Sequence, residues 1–191
     1  MKKEHSSRWR KLDNAAQAFP AATGKKDTRV FRFYCQLKED VQADLLQKAL
    51  EETMEHYPVF SMVLRKGLFW FYLEQRDLPA KVEEEKRPPC SEIYVPDHKT
   101  LLFQVSYYKT RINFEVFHAL TDGTGAMLFL KELVSNYLIL RHPEETFSKV
   151  SEDMLTETDF EEDSFSQYYS SDAPRKRESK KPAFQLKGEK L

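Results

Sequence analysis

His118, Asp122 and Gly123 are the residues of this 191-residue chain whose types and spacing best suit chemistry. They stand as His-x-x-x-Asp-Gly, a pattern that chance supplies on the order of once in a hundred chains of this composition. An imidazole withdrawn from bulk water tends to stay neutral near pH 7, the state a general base needs. It can then take a proton from a hydroxyl, an amine or a thiol. Asp122, four residues on, either orients the imidazole or pairs with an arginine to hold the turn, and spacing alone does not choose. Gly123 allows a positive φ or a close backbone approach. A core histidine with both nitrogens bonded, followed by an aspartate that caps a helix, gives the same letters.

Other chemistries have weaker support. No third His, Cys or acid recurs at ligand-like spacing around His118, so no metal is expected. Gly123-x-Gly125 hints at a phosphate-cradling turn, but a dinucleotide fingerprint wants Gly or Ala where Leu128 stands. No G-x-S-x-G elbow occurs. Cys35 reads as a small core hydrophobe. His5 stands in a polar start, His98 in a loop, and His56 and His142 near helix ends.

The elements that must position His118 follow from periodicity. Residues 111–117 alternate, placing Ile112, Phe114 and Val116 on an apolar face, and His118 is the next residue of that parity. The histidine should therefore point inward. Residues 101–108 pair with this strand across Lys109-Thr110. A helix from about Ala126 to Leu140 follows, with a polar strip at Lys131, Glu132, Ser135 and Asn136. Upstream, 28–37 is a half-buried strand with Phe31, Phe33, Cys35 and Leu37 on one face. Asp40 is placed to cap a helix whose stripe is Val41, Leu45, Leu46, Ala49, Leu50 and Met54. Residues 59–65 and 68–74 read as a hairpin across Lys66-Gly67, and the proline-bearing stretch 79–89 as a loop. The expected class is α+β, a two-layer sandwich with a mainly antiparallel sheet covered by helices.

Composition bounds the rest. Thirty basic residues against 31 acidic ones give a net charge of −1, which offers no surplus for nucleic acid. Two cysteines and a charged start with no apolar stretch suggest a cytoplasmic protein with reduced thiols, and no membrane span is expected. Residues 1–143 are expected to form the folded unit. From 144 to 163 there are nine acids against Lys149 alone, and from 164 to 191 seven bases against three acids. Such blocks are usually solvated, so 144–191 reads as a charged linker or crossover, partly disordered.

Phe-His118-Ala-Leu-Thr-Asp122-Gly123, closing a strand and opening a helix, resembles the H-x-x-x-D-G motif of the chloramphenicol acetyltransferase-like and condensation-domain acyltransferases. Trp9-Arg-Lys-Leu12-Asp13-Asn14-Ala15 and His56-Tyr-Pro-Val-Phe60 look most like bacterial alcohol acetyltransferase-type proteins. The likeness covers about residues 9–143. It implies that His118 deprotonates an alcohol or amine acceptor, which attacks the thioester of an acyl-CoA, with acetyl the acyl group this likeness favours. Acyl-CoA would be a substrate, with no tightly bound cofactor. The resemblance gives Asp122 a structural role through a salt bridge, with Arg29 and Arg65 as candidate partners, and has Gly123 keep the loop tight beside the substrate channel.

Two departures matter. Phe117 stands where many relatives carry a first histidine, although the second is the catalytic one. Most monomeric relatives also have two such halves with the active-site tunnel between them. This chain would be the N-terminal half, completed by a C-terminal half or by further copies of itself, and activity of the half alone is left open. The competing expectation is a non-catalytic interaction domain that keeps the fold.

Overall fold

The computed structural model describes residues 9–12, 16–24, 26–96 and 98–145. Along them run β1 (Trp9–Lys11), α1 (Ala18–Ala22), β2 (Val30–Gln36), α2 (Ala43–His56), a 3₁₀ turn (Pro58–Ser61), β3 (Met62–Lys66), β4 (Phe71–Gln75), β5 (Val82–Glu84), β6 (Phe103–Tyr108), β7 (Arg111–Phe117) and α3 (Gly123–Arg141). The strands form two sheets, ordered β1-β4-β3 and β2-β7-β6-β5. All pairs are antiparallel except β5 with β6. The class is α+β, as the periodicities indicate.

Alternation in β2 and β7 builds the larger sheet. Phe31, Phe33 and Cys35 register against Val116, Phe114 and Ile112, and residues paired in this way share a face. That face is apolar and carries the helices. Phe129 of α3 stacks on Phe114 with ring centroids 4.7 Å apart, and Phe60 lies 4.2 Å from Phe129 and 5.5 Å from Phe103. Each such ring contributes about 1.5–3 kcal/mol by leaving water. Along the α2–α3 seam, the polar strip of α3 meets α2: Asn136 Nδ2 donates to Thr53 Oγ1 at 3.0 Å, and Glu132 pairs with His56.

The opposite face of the same sheet is charged. Arg32 on β2 reaches Glu115 on β7 at 2.8 Å and Glu85 at 2.5 Å, and Arg111 reaches Glu85 at 2.7 Å. The Cys90 amide donates to Glu115 Oε1 at 2.6 Å, so the segment after β5 is tied to the strand that leads to His118. Burial alone would lower the pKa of Arg32 and raise that of Glu85. Burial is the largest single influence on each, but the hydrogen bonds and charges of Glu85 and Glu115 on Arg32, and of Arg32 and Arg111 on Glu85, together outweigh it, so Arg32 is held above its ordinary value and Glu85 below.

Several boundaries differ from the periodicity reading. The run at 59–65 opens as the 3₁₀ turn, with Pro58 at its first position, and becomes strand only at Met62. The 68–74 strand begins at Phe71, because Leu68, Phe69 and Trp70 form a four-residue turn with Gly67, closed by the Gly67 amide donating to the Trp70 carbonyl at 2.8 Å. The 79–89 stretch holds β5, which gains its hydrogen bonds from the distant β6. Gln42, not Asp40, stands at the cap position of α2, and no side chain caps it. Residues 13–15 of the opening stretch and the charge blocks from 146 onward lie outside the described residues. No helix among the described residues is long and apolar enough to cross a membrane.

Candidate functional site

His118 follows directly on β7, and its amide donates to the Arg29 carbonyl at 2.9 Å, carrying the β2–β7 pairing past Phe117. Arg29 has a φ of 53°, left-handed backbone that costs a non-glycine residue about 1–2 kcal/mol. The chain then turns at once, since the Leu120 amide donates to the Phe117 carbonyl at 3.0 Å. These bonds fix the Cα of His118 and leave its side chain on the helix-bearing face, as its parity predicts.

The ring is half-buried. Phe19 of α1 stacks on it at 4.4 Å, with planes 16° apart, and Phe31 lies 5.0 Å away at a tilt of 58°. Among the described residues no group bonds either ring nitrogen. Among the described residues, then, the ring is not that of a core histidine with both nitrogens bonded. Its plane is set by aromatic contact.

Asp122 sits at the N-cap of α3, where its Oδ1 accepts from the Gly125 amide at 2.9 Å. This cap starts α3 at Gly123, earlier than the periodicity indicates. Asp122 makes no ion pair among the described residues. Of its candidate partners, Arg29 pairs with Asp27 at 3.1 Å and Arg65 with Glu74 at 3.4 Å. Asp122 thus caps α3, and among the described residues no hydrogen bond joins its carboxylate to the imidazole. Gly123 has no positive φ, and a Cβ built on it would meet Phe33 Cζ at 3.8 Å, an ordinary contact. The backbone here does not demand glycine.

Phe117 points the other way. It is fully buried and stacks on Tyr94 at 5.1 Å, so this position wedges the sheet and adds nothing to the site. Both thiols are free, and burial pushes each above its ordinary pKa, with Glu115 adding to the effect at Cys90. Neither is a poised nucleophile. Among the described residues no three His, Cys, Asp or Glu side chains gather to hold a metal ion. A polar cleft of about 320 Å³, lined by Glu83, Glu84, Lys86, Arg87 and Gln104, lies at the β5 edge on the charged side of the sheet.

Sequence reasoning missed Phe19. Its only local signal is an apolar Ala-Phe-Pro-Ala run in a polar stretch, which gives no hint of where the short α1 docks.

The two sheets, the helices on one face and the turn after β7 define a condensation-domain fold of the chloramphenicol acetyltransferase-like kind. Polyketide synthase associated protein 5 from Mycobacterium tuberculosis matches 75% of this chain at 19% identity and a TM-score of 0.53. The starter condensation domain of rhizomide synthetase RzmA matches 81% at 12% identity and a TM-score of 0.59. A variant of that domain in complex with C8-CoA matches 79% at 16% identity and a TM-score of 0.56. The chain spans well under half of each, 36%, 44% and 40% of their lengths. No protein-family profile matches the chain, and no curated protein does.

Proposed function

We propose that this chain is the histidine-bearing half of an acyltransferase that moves an acyl group, acetyl in the simplest case, from acyl-CoA to an alcohol or amine. One observation carries the reading: His118 is held by Phe19 and Phe31, and among the described residues no partner bonds either ring nitrogen. An imidazole so held takes the proton of the acceptor's O–H or N–H as the freed nucleophile attacks the thioester carbonyl. The tetrahedral intermediate collapses, the C–S bond breaks, and the imidazolium returns its proton to the departing CoA thiolate. Ester or amide and free CoA are the products. Asp122 and Gly123 belong to the turn that presents His118 and take no part in proton transfer.

The C8-CoA complex of a condensation domain with the same fold supports acyl-CoA as donor. Release of free CoA thiol from acetyl- and octanoyl-CoA, measured with a panel of alcohols and amines, tests the proposal. The measurement is made on this chain, and on the chain with its continuation wherever the gene extends beyond Leu191. Turnover that is lost in His118→Ala supports it, and equal turnover by both proteins removes the catalytic assignment.

A further inference from the structure

The β3–β4 hairpin ends in an apolar point. Leu68, Phe69 and Trp70 are 94%, 87% and 54% exposed, three consecutive large apolar side chains in one turn. None of the three belongs to the core, to which β3 and β4 contribute Leu64 and Leu73, with Met62 and Phe71 packed against it. Isolated exposed apolar residues are ordinary, whereas a contiguous protruding group marks a contact surface.

The charge around the point is one-sided. In the register of the smaller sheet Lys66 pairs with Phe71, directly below the turn. Arg65 and Lys11 flank Tyr72 in the next row, and Arg10 stands beside Leu73 in the row after. The acid of this ribbon, Glu74, lies one row further from the tip, where it takes Arg65 at 3.4 Å and Arg76 at 2.7 Å. Strands β1, β3 and β4 with their turn thus carry four cations against one anion, in a chain whose net charge is −1.

An apolar point with a tryptophan at its margin and cations one and two rows behind matches the depth profile of an anionic lipid surface. Apolar side chains enter the acyl boundary, tryptophan favours the interface, and Lys and Arg meet the phosphates. We propose that the β3–β4 tip docks this chain on an anionic bilayer, with Leu68, Phe69 and Trp70 inserted and Lys66, Arg65 and Lys11 at headgroup depth. This proposal stands independently of the acyl-transfer reading.

Both tryptophans of the chain, Trp9 and Trp70, lie on this ribbon, and Trp9 pairs with Glu74 at the end far from the tip. Intrinsic fluorescence therefore reports docking, and each tryptophan is a control for the other. The 191-residue chain is mixed with vesicles of phosphatidylcholine alone or with phosphatidylglycerol added, then sedimented at low and moderate salt. Expected is co-sedimentation with the anionic vesicles that weakens as salt rises, and a blue shift that survives Trp9→Phe and is lost in Trp70→Phe. Leu68→Ser with Phe69→Ser should cut partitioning about ten-fold or more while leaving circular dichroism and thermal midpoint unchanged, because these side chains are outside the core. Lys66→Glu should cut binding to anionic vesicles. Failure to bind anionic vesicles, equal binding to neutral ones, or unaltered binding by the double serine variant would overturn the proposal. So would a dimer in solution that the serine variant dissolves without vesicle binding, which would assign the tip to a second copy of the chain.

Discussion

Phe19 lies flat against His118, ring centroids 4.4 Å apart, although they stand 99 positions apart in the chain. The stack couples the one-turn α1 to the base proposed for catalysis and does so without a hydrogen bond, so it limits the ring's rotation without consuming a nitrogen. Phe19→Ala should leave His118 free to swing and lower kcat about ten- to hundred-fold, the scale of a small misplacement of a reacting group. KM should change little, and Phe19→Tyr, which keeps the stack, should retain most of the activity. Steady-state kinetics on the three proteins checks this.

The charged face of the sheet makes stability depend on pH. Glu85 is held below its ordinary pKa by Arg32 and Arg111 despite its burial. A carboxyl depressed in the folded state contributes stability that is fully present above its unfolded value, about 4.3, and that is lost as pH falls through the folded value. The urea midpoint should therefore stay level on this account from pH 7 to about 5 and drop below that. Glu85→Gln should lower the midpoint at neutral pH and flatten the acid limb, which a urea series at several pH values reads directly.

Arg32 is 11% exposed and serves two carboxylates, Glu85 and Glu115, themselves 14% and 6% exposed. Arg32→Met leaves Glu115 without a cation in a poorly solvated place, and Glu85 with Arg111 alone, and should cost about 3–5 kcal/mol in urea unfolding. Adding Glu115→Leu to that variant should recover part of the loss, because the destabilisation comes from the charge left unpaired and not from the missing attraction.

What the sequence discloses here is what local periodicity can carry. The alternation of β2 and β7 sets Phe31, Phe33, Phe114 and Val116 on one face and so places His118, and the Lys109-Thr110 turn joins β6 to β7 with a left-handed Lys109. The features it does not disclose depend on distant partners. β5 is three residues with two acids, and it is a strand because β6 lies beside it. Leu68–Trp70 have strand-like composition, but the turn geometry takes them out of the ladder and leaves them exposed. The left-handed Arg29, whose carbonyl receives His118, has no local signal, since arginine is not a residue that seeks such backbone.

Asp122 is the residue for which spacing leaves the widest choice, and one substitution separates the roles. As an N-cap it needs only a short side chain with an oxygen that accepts from the Gly125 amide, as it does at 2.9 Å. Asp122→Asn and Asp122→Ser keep such an acceptor, so both should stay within a few tenths of a kcal/mol of the parent, whereas Asp122→Ala should lose about 1 kcal/mol. A salt bridge to an arginine would rank them otherwise, with Asn falling alongside Ala, because the charge and not the acceptor would be the loss. The expected order is Asp, Asn and Ser together with Ala below them, in both urea midpoint and thermal midpoint. If turnover follows the same order, the cap is what holds the histidine turn; if Asn falls with Ala in turnover while matching Asp in stability, the carboxylate acts on the site through its charge.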